Sequence, residues 1–148
     1  MLSKPDVRRW GTSVTVKLLF DTNLLISQPD FSLLDADPAQ IQVRTSALCY
    51  AELQEGEFAH DPVTAAHAIM QMANAQAAIG EGIPFGSAEV RAYRAIYAAV
   101  LRDGRSLTRA RRLDMMIAAT ALAHGMTLAT RNVDDFAGVR AIVPVVQL

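Results

Sequence analysis

Residues 14–20, Val-Thr-Val-Lys-Leu-Leu-Phe, form a β-branched and apolar run that stops abruptly on Asp21-Thr22-Asn23. The run reads as a buried strand feeding a helix N-terminus, which places Asp21 at the carboxyl end of a strand. Ligand sites of open α/β sheets form at such ends. Three further stretches carry acids where an apolar element begins or ends: Ser46-Ala47-Leu48-Cys49-Tyr50-Ala51-Glu52-Leu53, Arg112-Leu113-Asp114-Met115-Met116-Ile117, and Thr130-Arg131-Asn132-Val133-Asp134-Asp135-Phe136. Folding that gathers these carboxylates at one end of a sheet would make a place for a hard metal ion.

The remaining segments supply the alternation such a sheet needs. A second strand is expected over residues 41–44, followed by a helix capped by Thr45 or Ser46 with Glu52 in its second turn. Asp61-Pro62 starts an alanine-rich helix to about Ile79, ended by the glycines of residues 80–86. Ser87 is expected to cap a helix reaching Asp103-Gly104, and a helix over about 108–124, closed by Gly125, has Leu113, Met116, Ile117, Thr120 and Ala121 at core spacing. Residues 126–130 and 141–146 read as short strands, the last an edge because of Pro144. Helices alternating with short apolar strands predict a parallel α/β sandwich.

At 148 residues the chain holds one domain and one core. A hydrophobic share of 51% suggests a filled core and an apolar partner interface besides, while 6% aromatics argues against a stacking platform for single-stranded nucleic acid. Net charge −1 gives no global pull on nucleic acid, yet Arg102, Arg105, Arg109, Arg111 and Arg112 crowd just ahead of Asp114. The single Cys49 leaves no internal disulfide, fits a reducing compartment and reads as a core thiol. No secretory or membrane segment is visible, so a cytoplasmic protein is expected.

Singly, each acid has a structural explanation: Asp21 an N-cap, Glu52 a solvated helix face, Asp114 an arginine partner, Asp134 or Asp135 turn residues. Together they are harder to dismiss, because charges set among Leu, Phe, Met and Ile are costly to bury uncompensated. Carboxylates sharing a pocket repel one another unless a cation intervenes. Mg²⁺ or Mn²⁺ suits oxygen ligands, whereas His60, His67 and His124 show no paired spacing for a softer metal.

In their order and spacing, Leu-Phe-Asp21-Thr-Asn, Ala-Glu52-Leu, Leu-Asp114-x-x-Ile-Ala-Ala-x-Ala and Leu-Ala-Thr130-Arg-Asn-x-x-Asp135-Phe resemble the PIN domain, and at this length the VapC-type toxin ribonucleases of bacterial toxin–antitoxin pairs. The resemblance spans residues 18–146, nearly the whole chain. It implies a three-layer α/β/α sandwich with a central parallel sheet over residues 14–148, preceded by an N-terminal extension, residues 1–13, that the family usually lacks. It implies Asp21, Glu52 and Asp114 as metal ligands or holders of water, with Asp135, which directly precedes Phe136, completing the set in preference to Asp134. Thr22, Asn23, Thr130 and Asn132 would orient carboxylates or substrate. In a body almost without lysine, arginines such as Arg112 and Arg131 would contact phosphate through their bidentate fork. The implied cofactor is one or two Mg²⁺ or Mn²⁺ ions. Structured RNA such as tRNA or ribosomal RNA is the implied substrate, with a VapB-like antitoxin and a second copy of the chain as partners.

Other classes fit less well. Receiver and haloacid-dehalogenase domains need a late lysine, and none follows Lys17; the latter also wants Asp-x-Asp where this chain has Asp21-Thr22-Asn23. A P-loop motif is absent. A PIN ribonuclease of RNA processing, or a PIN-like module that binds without cutting, shares the motifs and differs in context or in geometry.

Overall fold

The computed structural model describes residues 15–27 and 29–148; the expected extension, residues 1–13, lies outside the described residues. Strand β1 (Val16–Phe20) leads into the short helix α1 (Thr22–Ile26), and β2 (Ile41–Thr45) into α2 (Ala47–Glu55). Helices α3 (Pro62–Ile79), α4 (Ser87–Arg102) and α5 (Arg109–Ala123) follow, then β3 (Thr127–Thr130), a 3-10 segment over Val133–Val139 and β4 (Val145–Gln147). The strands form one sheet in the order β2-β1-β3-β4, every pair parallel. Helices cover both faces, giving the expected α/β/α sandwich.

Burial on both faces explains why β1 reads as a continuous apolar run rather than an alternating one. Leu19 and Leu128 point into a core shared with Ile96 and Val100 of α4 and Met115, Ile117 and Ala121 of α5. Leu18 and Phe20 point the other way, against Leu24, Ala129, Leu148 and Ile79 at the end of α3. Phe136 and Val139, both fully buried, pin the 3-10 segment to the first of these cores.

Most boundaries agree with the sequence within a residue or two. Ser46, rather than Thr45, caps α2 through its hydroxyl on the Leu48 N–H, because the Thr45 hydroxyl is taken by the Phe20 carbonyl at 2.9 Å. Gly86, not Ser87, is the cap of α4, its N–H bonded at 2.9 Å to the Glu89 carboxylate. The last strand is shorter than expected: pairing begins at Val145, after Pro144, whose carbonyl accepts the Leu128 N–H, and β4 is the edge. No helix among the described residues is long and apolar enough to cross a membrane.

Candidate active site

Because all four strands are parallel, everything that leaves a strand leaves it at the same edge of the sheet. Asp21 follows β1 there, α2 with Glu52 follows β2, and Thr130-Arg131-Asn132 with Asp135 follows β3. Helix α5 runs back against the strands and returns through Gly125, φ 62°, so its first turns, with Asp114, overhang the same edge.

Asp21 is buried, 6% exposed, and each oxygen of its carboxylate accepts one hydrogen bond, leaving a lone pair on each. Oδ1 accepts the Thr22 N–H at 2.8 Å, capping α1, and Oδ2 accepts the Thr130 hydroxyl at 2.9 Å. Burial raises its pKa and these bonds hold it down, with Asp135 adding repulsion. Glu52 is half-buried, and its Oε1 accepts the Thr22 hydroxyl at 2.7 Å. Burial comes first in raising its pKa, followed by the nearby Asp21 and Glu55 charges. Asp114 is pushed up to about 7, first by burial and then by Asp21, Asp135 and Glu52, with Arg111 pulling weakly the other way. Four carboxylates from four distant segments thus feel one another's charge.

Asp135 is half-buried, accepts the Asn132 side-chain amide at 3.0 Å and acts on both Asp21 and Asp114. Asp134, beside it, is exposed and contributes to none of these shifts. Thr130 is the hub of the polar network: it also accepts the Asn132 N–H at 3.2 Å and lies 3.4 Å from the Asn23 amide nitrogen. The Asn23 carbonyl oxygen in turn accepts the Arg131 N–H at 3.3 Å. Arg131, expected to reach phosphate, extends its guanidinium to the Ser27 carbonyl at 3.1 Å, bracing the end of α1. Arg112 is exposed on α5.

Among the described residues no three carboxylate, imidazole or thiolate groups enclose a single point closely enough to hold an ion by themselves. The donor set still suits a hard divalent cation, which keeps several waters and needs few protein ligands, and whose charge would relieve the repulsion seen at Asp114. Cys49 offers no alternative: fully buried, with burial pushing its thiol up to about 11, it donates to the Phe20 carbonyl. The three histidines are exposed; His124 ends α5 and meets Glu89 at 2.6 Å. The signal in the sequence for that buried glutamate is the Gly86-x-x-Glu89 capping spacing.

No protein-family model matches the sequence, and no curated protein matches it at a significant level. Solved structures match closely in fold. The VapBC-5 structure from Mycobacterium tuberculosis, described as a member of the VapBC family of toxin–antitoxin systems, is 25% identical with a TM-score of 0.72, covering 90% of this chain and 98% of that one. FitAcB from Neisseria gonorrhoeae is 26% identical with a TM-score of 0.65, over 86% and 95% of the two chains. VapBC2 from Rickettsia felis, bound to a fragment of promoter DNA, shares the fold at 20% identity and a TM-score of 0.68, over 90% and 99%. VapBC toxin–antitoxin structures are thus among the neighbours that span most of the chain, and the sandwich is the PIN-like fold to which the sequence motifs point.

Proposed function

We propose that the chain is a divalent-metal-dependent endoribonuclease, the toxin of a toxin–antitoxin pair, cutting structured RNA such as tRNA or ribosomal RNA. The observation that carries this reading is the convergence of Asp21, Glu52, Asp114 and Asp135 at one edge of a parallel sheet, so crowded that the Asp114 carboxyl is raised to about 7. Likeness to toxin–antitoxin structures supports the toxin assignment.

Asp21 and Asp114 would hold Mg²⁺ or Mn²⁺, and Glu52 and Asp135 would bond the water around it. When bound, the ion supplies Lewis-acid polarisation of the scissile phosphate and makes water a better nucleophile at neutral pH. The chain does the positioning. Thr130 and the Thr22 N–H fix the Asp21 carboxylate, Thr22 aims Glu52, and Asn132 aims Asp135, so that Glu52 or Asp135 orients the attacking water in line with the bond to be broken. The products are a 5′-phosphate and a 3′-hydroxyl.

The partners follow from the surface. A groove of about 740 Å³ runs between α1 and α3, lined by Leu24, Leu25, Ile26, Phe31 and Ile79 among others, and Ile69 and Met70 of α3 are 52% and 62% exposed. This apolar area is offered to a VapB-like antitoxin and to a second copy of the chain, in the cytoplasm. The test of the reading is cleavage of tRNA and ribosomal RNA by purified protein with Mg²⁺ or Mn²⁺. Activity is expected to vanish with EDTA and in Asp21→Asn and Asp114→Asn, both folded; wild-type rates in either variant would refute the assignment of these ligands.

A further inference from the structure

On the α4–α5 side of the sheet a groove of about 540 Å³ opens over the first residues of β1 and β2. Its floor carries polar side chains from both strands. Lys17 and Gln42 face each other in register, and Arg44 stands two residues further along β2. Pro84 forms one wall and His124 with Met126 the other. Lys17, Gln42, Arg44 and His124 are all exposed.

Lys17 is the one lysine among the described residues, and it interrupts the apolar run of β1. No carboxylate lines the groove. Glu89 is committed to the His124 imidazole and to the Gly86 N–H, and neither Lys17 nor Arg44 has a carboxylate partner among the described residues. The chain's net charge is −1 and its candidate active edge is acidic, so attraction of a polyanion has to come from local positive surface.

We propose that this groove is an anchoring site for the sugar–phosphate backbone of the RNA substrate, with Lys17 and Arg44 each neutralising a phosphate; the inference rests on the ribonuclease reading above. One strand across and two residues along separates the two cations by about 8 Å at the backbone, on the scale of neighbouring phosphates. Lys17 precedes Asp21 by four residues, about 13 Å along the strand. Leu19, fully buried under α4 and α5, lies between them, so an RNA anchored here reaches the acidic edge around the outside of the sheet. An acidic peptide would feel the same charge. The polyanion is favoured because two exposed cations about 8 Å apart, with no carboxylate lining the groove, match successive phosphates of one strand.

The test compares wild type with Lys17→Ala/Arg44→Ala, using bulk tRNA as probe and polyglutamate as the competing polyanion. Both side chains are exposed, and thermal denaturation checks that the fold is kept. With metal present, the double variant should raise KM for tRNA at least tenfold while leaving kcat within about twofold. In an Asp114→Asn background, the log–log slope of tRNA binding against salt should flatten by about 1.4–1.8, two phosphates at 0.7–0.9 each. An unchanged KM and slope would overturn the groove while wild-type cleavage still upholds the ribonuclease. Loss of polyglutamate binding with tRNA binding intact would overturn it in favour of a peptide. A wild type that neither binds nor cuts tRNA or ribosomal RNA would overturn both readings at once.

Discussion

Asp114 shows at the scale of one residue what the fold costs and what a cation would return. In the unfolded chain its carboxyl titrates near 3.8; in the fold, burial and three neighbouring carboxylates push it up to about 7. Folding therefore disfavours the ionised form, and the stability of the metal-free protein falls as pH rises from about 4, the penalty being complete above about 7. Asp114→Asn should accordingly raise the metal-free Tm at pH 8 and change it little at pH 4. Added Mg²⁺ or Mn²⁺ should raise the wild-type Tm more at pH 8 than at pH 5.5, as read by thermal denaturation; a Tm indifferent to both metal and substitution would contradict this account. Thr130 is the complementary case, a fully buried hydroxyl that donates to Asp21 and accepts from the Asn132 N–H. Thr130→Val keeps the shape and removes both bonds. A loss of about 10–100-fold in metal-dependent cleavage is expected from the misaimed carboxylate, with about 1–3 kcal/mol of stability lost by the buried groups left unpaired.

At the scale of elements, α5 begins with arginines where the positive end of its dipole would favour anions. Arg105 is paired with Asp103 at 2.7 Å and Arg111 is half-buried near Asp114, which leaves Arg109 and Arg112 exposed beside the acidic edge. Bound RNA phosphates would ease that unfavourable placement. Arg109→Ala/Arg112→Ala in an Asp114→Asn background should weaken RNA binding most at low salt and flatten its salt slope; an unchanged slope would make these arginines a solvated face. The link between α3 and α4 depends on a close approach: a Cβ at Gly82 would lie 2.5 and 2.6 Å from the Ala47 Cα and N. There Ile83 bonds Thr45 and Ala47 on either side, extending the edge of the sheet beyond β2. The obstacle is backbone, which cannot swing aside, so Gly82→Ala should cost about 1–3 kcal/mol. Calorimetry should show that as a Tm lower by several degrees, with α2 and Glu52 displaced.

At the scale of the whole molecule, the apolar surplus of the composition has a definite place. Helix α3 buries only Ala68 and Ala75, seven residues apart, and leaves Val63, Ile69 and Met70 in water, while α4 packs along α5 and exposes Val90 and Leu101. These exposed apolar side chains are the surface that the proposed partners would cover. Light scattering on the isolated protein should give a homodimer, and a small protein encoded beside it should form a complex that Ile69→Lys/Met70→Lys weakens without lowering Tm. A strict monomer that binds no such protein would remove the interface reading.

The sequence by itself determined the elements and their chemistry: β1 is legible because its half from Leu18 to Phe20, buried on both faces, is apolar, and α3 and α5 because the Asp61 cap of α3 and the stops Gly80 and Gly125 are local devices. The positions of the acids at element ends were legible for the same reason. Only the tertiary structure decided how those ends meet, since strand order depends on pairings such as Leu18 with Thr127, more than a hundred positions apart. It also showed Asp135 rather than Asp134 within the shared field, because a single register of the 3-10 segment, set by the burial of Phe136 and Val139, turns one toward Asp21 and the other to water. Arg131 bracing α1 and Lys17 flooring a groove were equally beyond the sequence: what a long cationic side chain touches is settled by neighbours brought in from elsewhere in the chain.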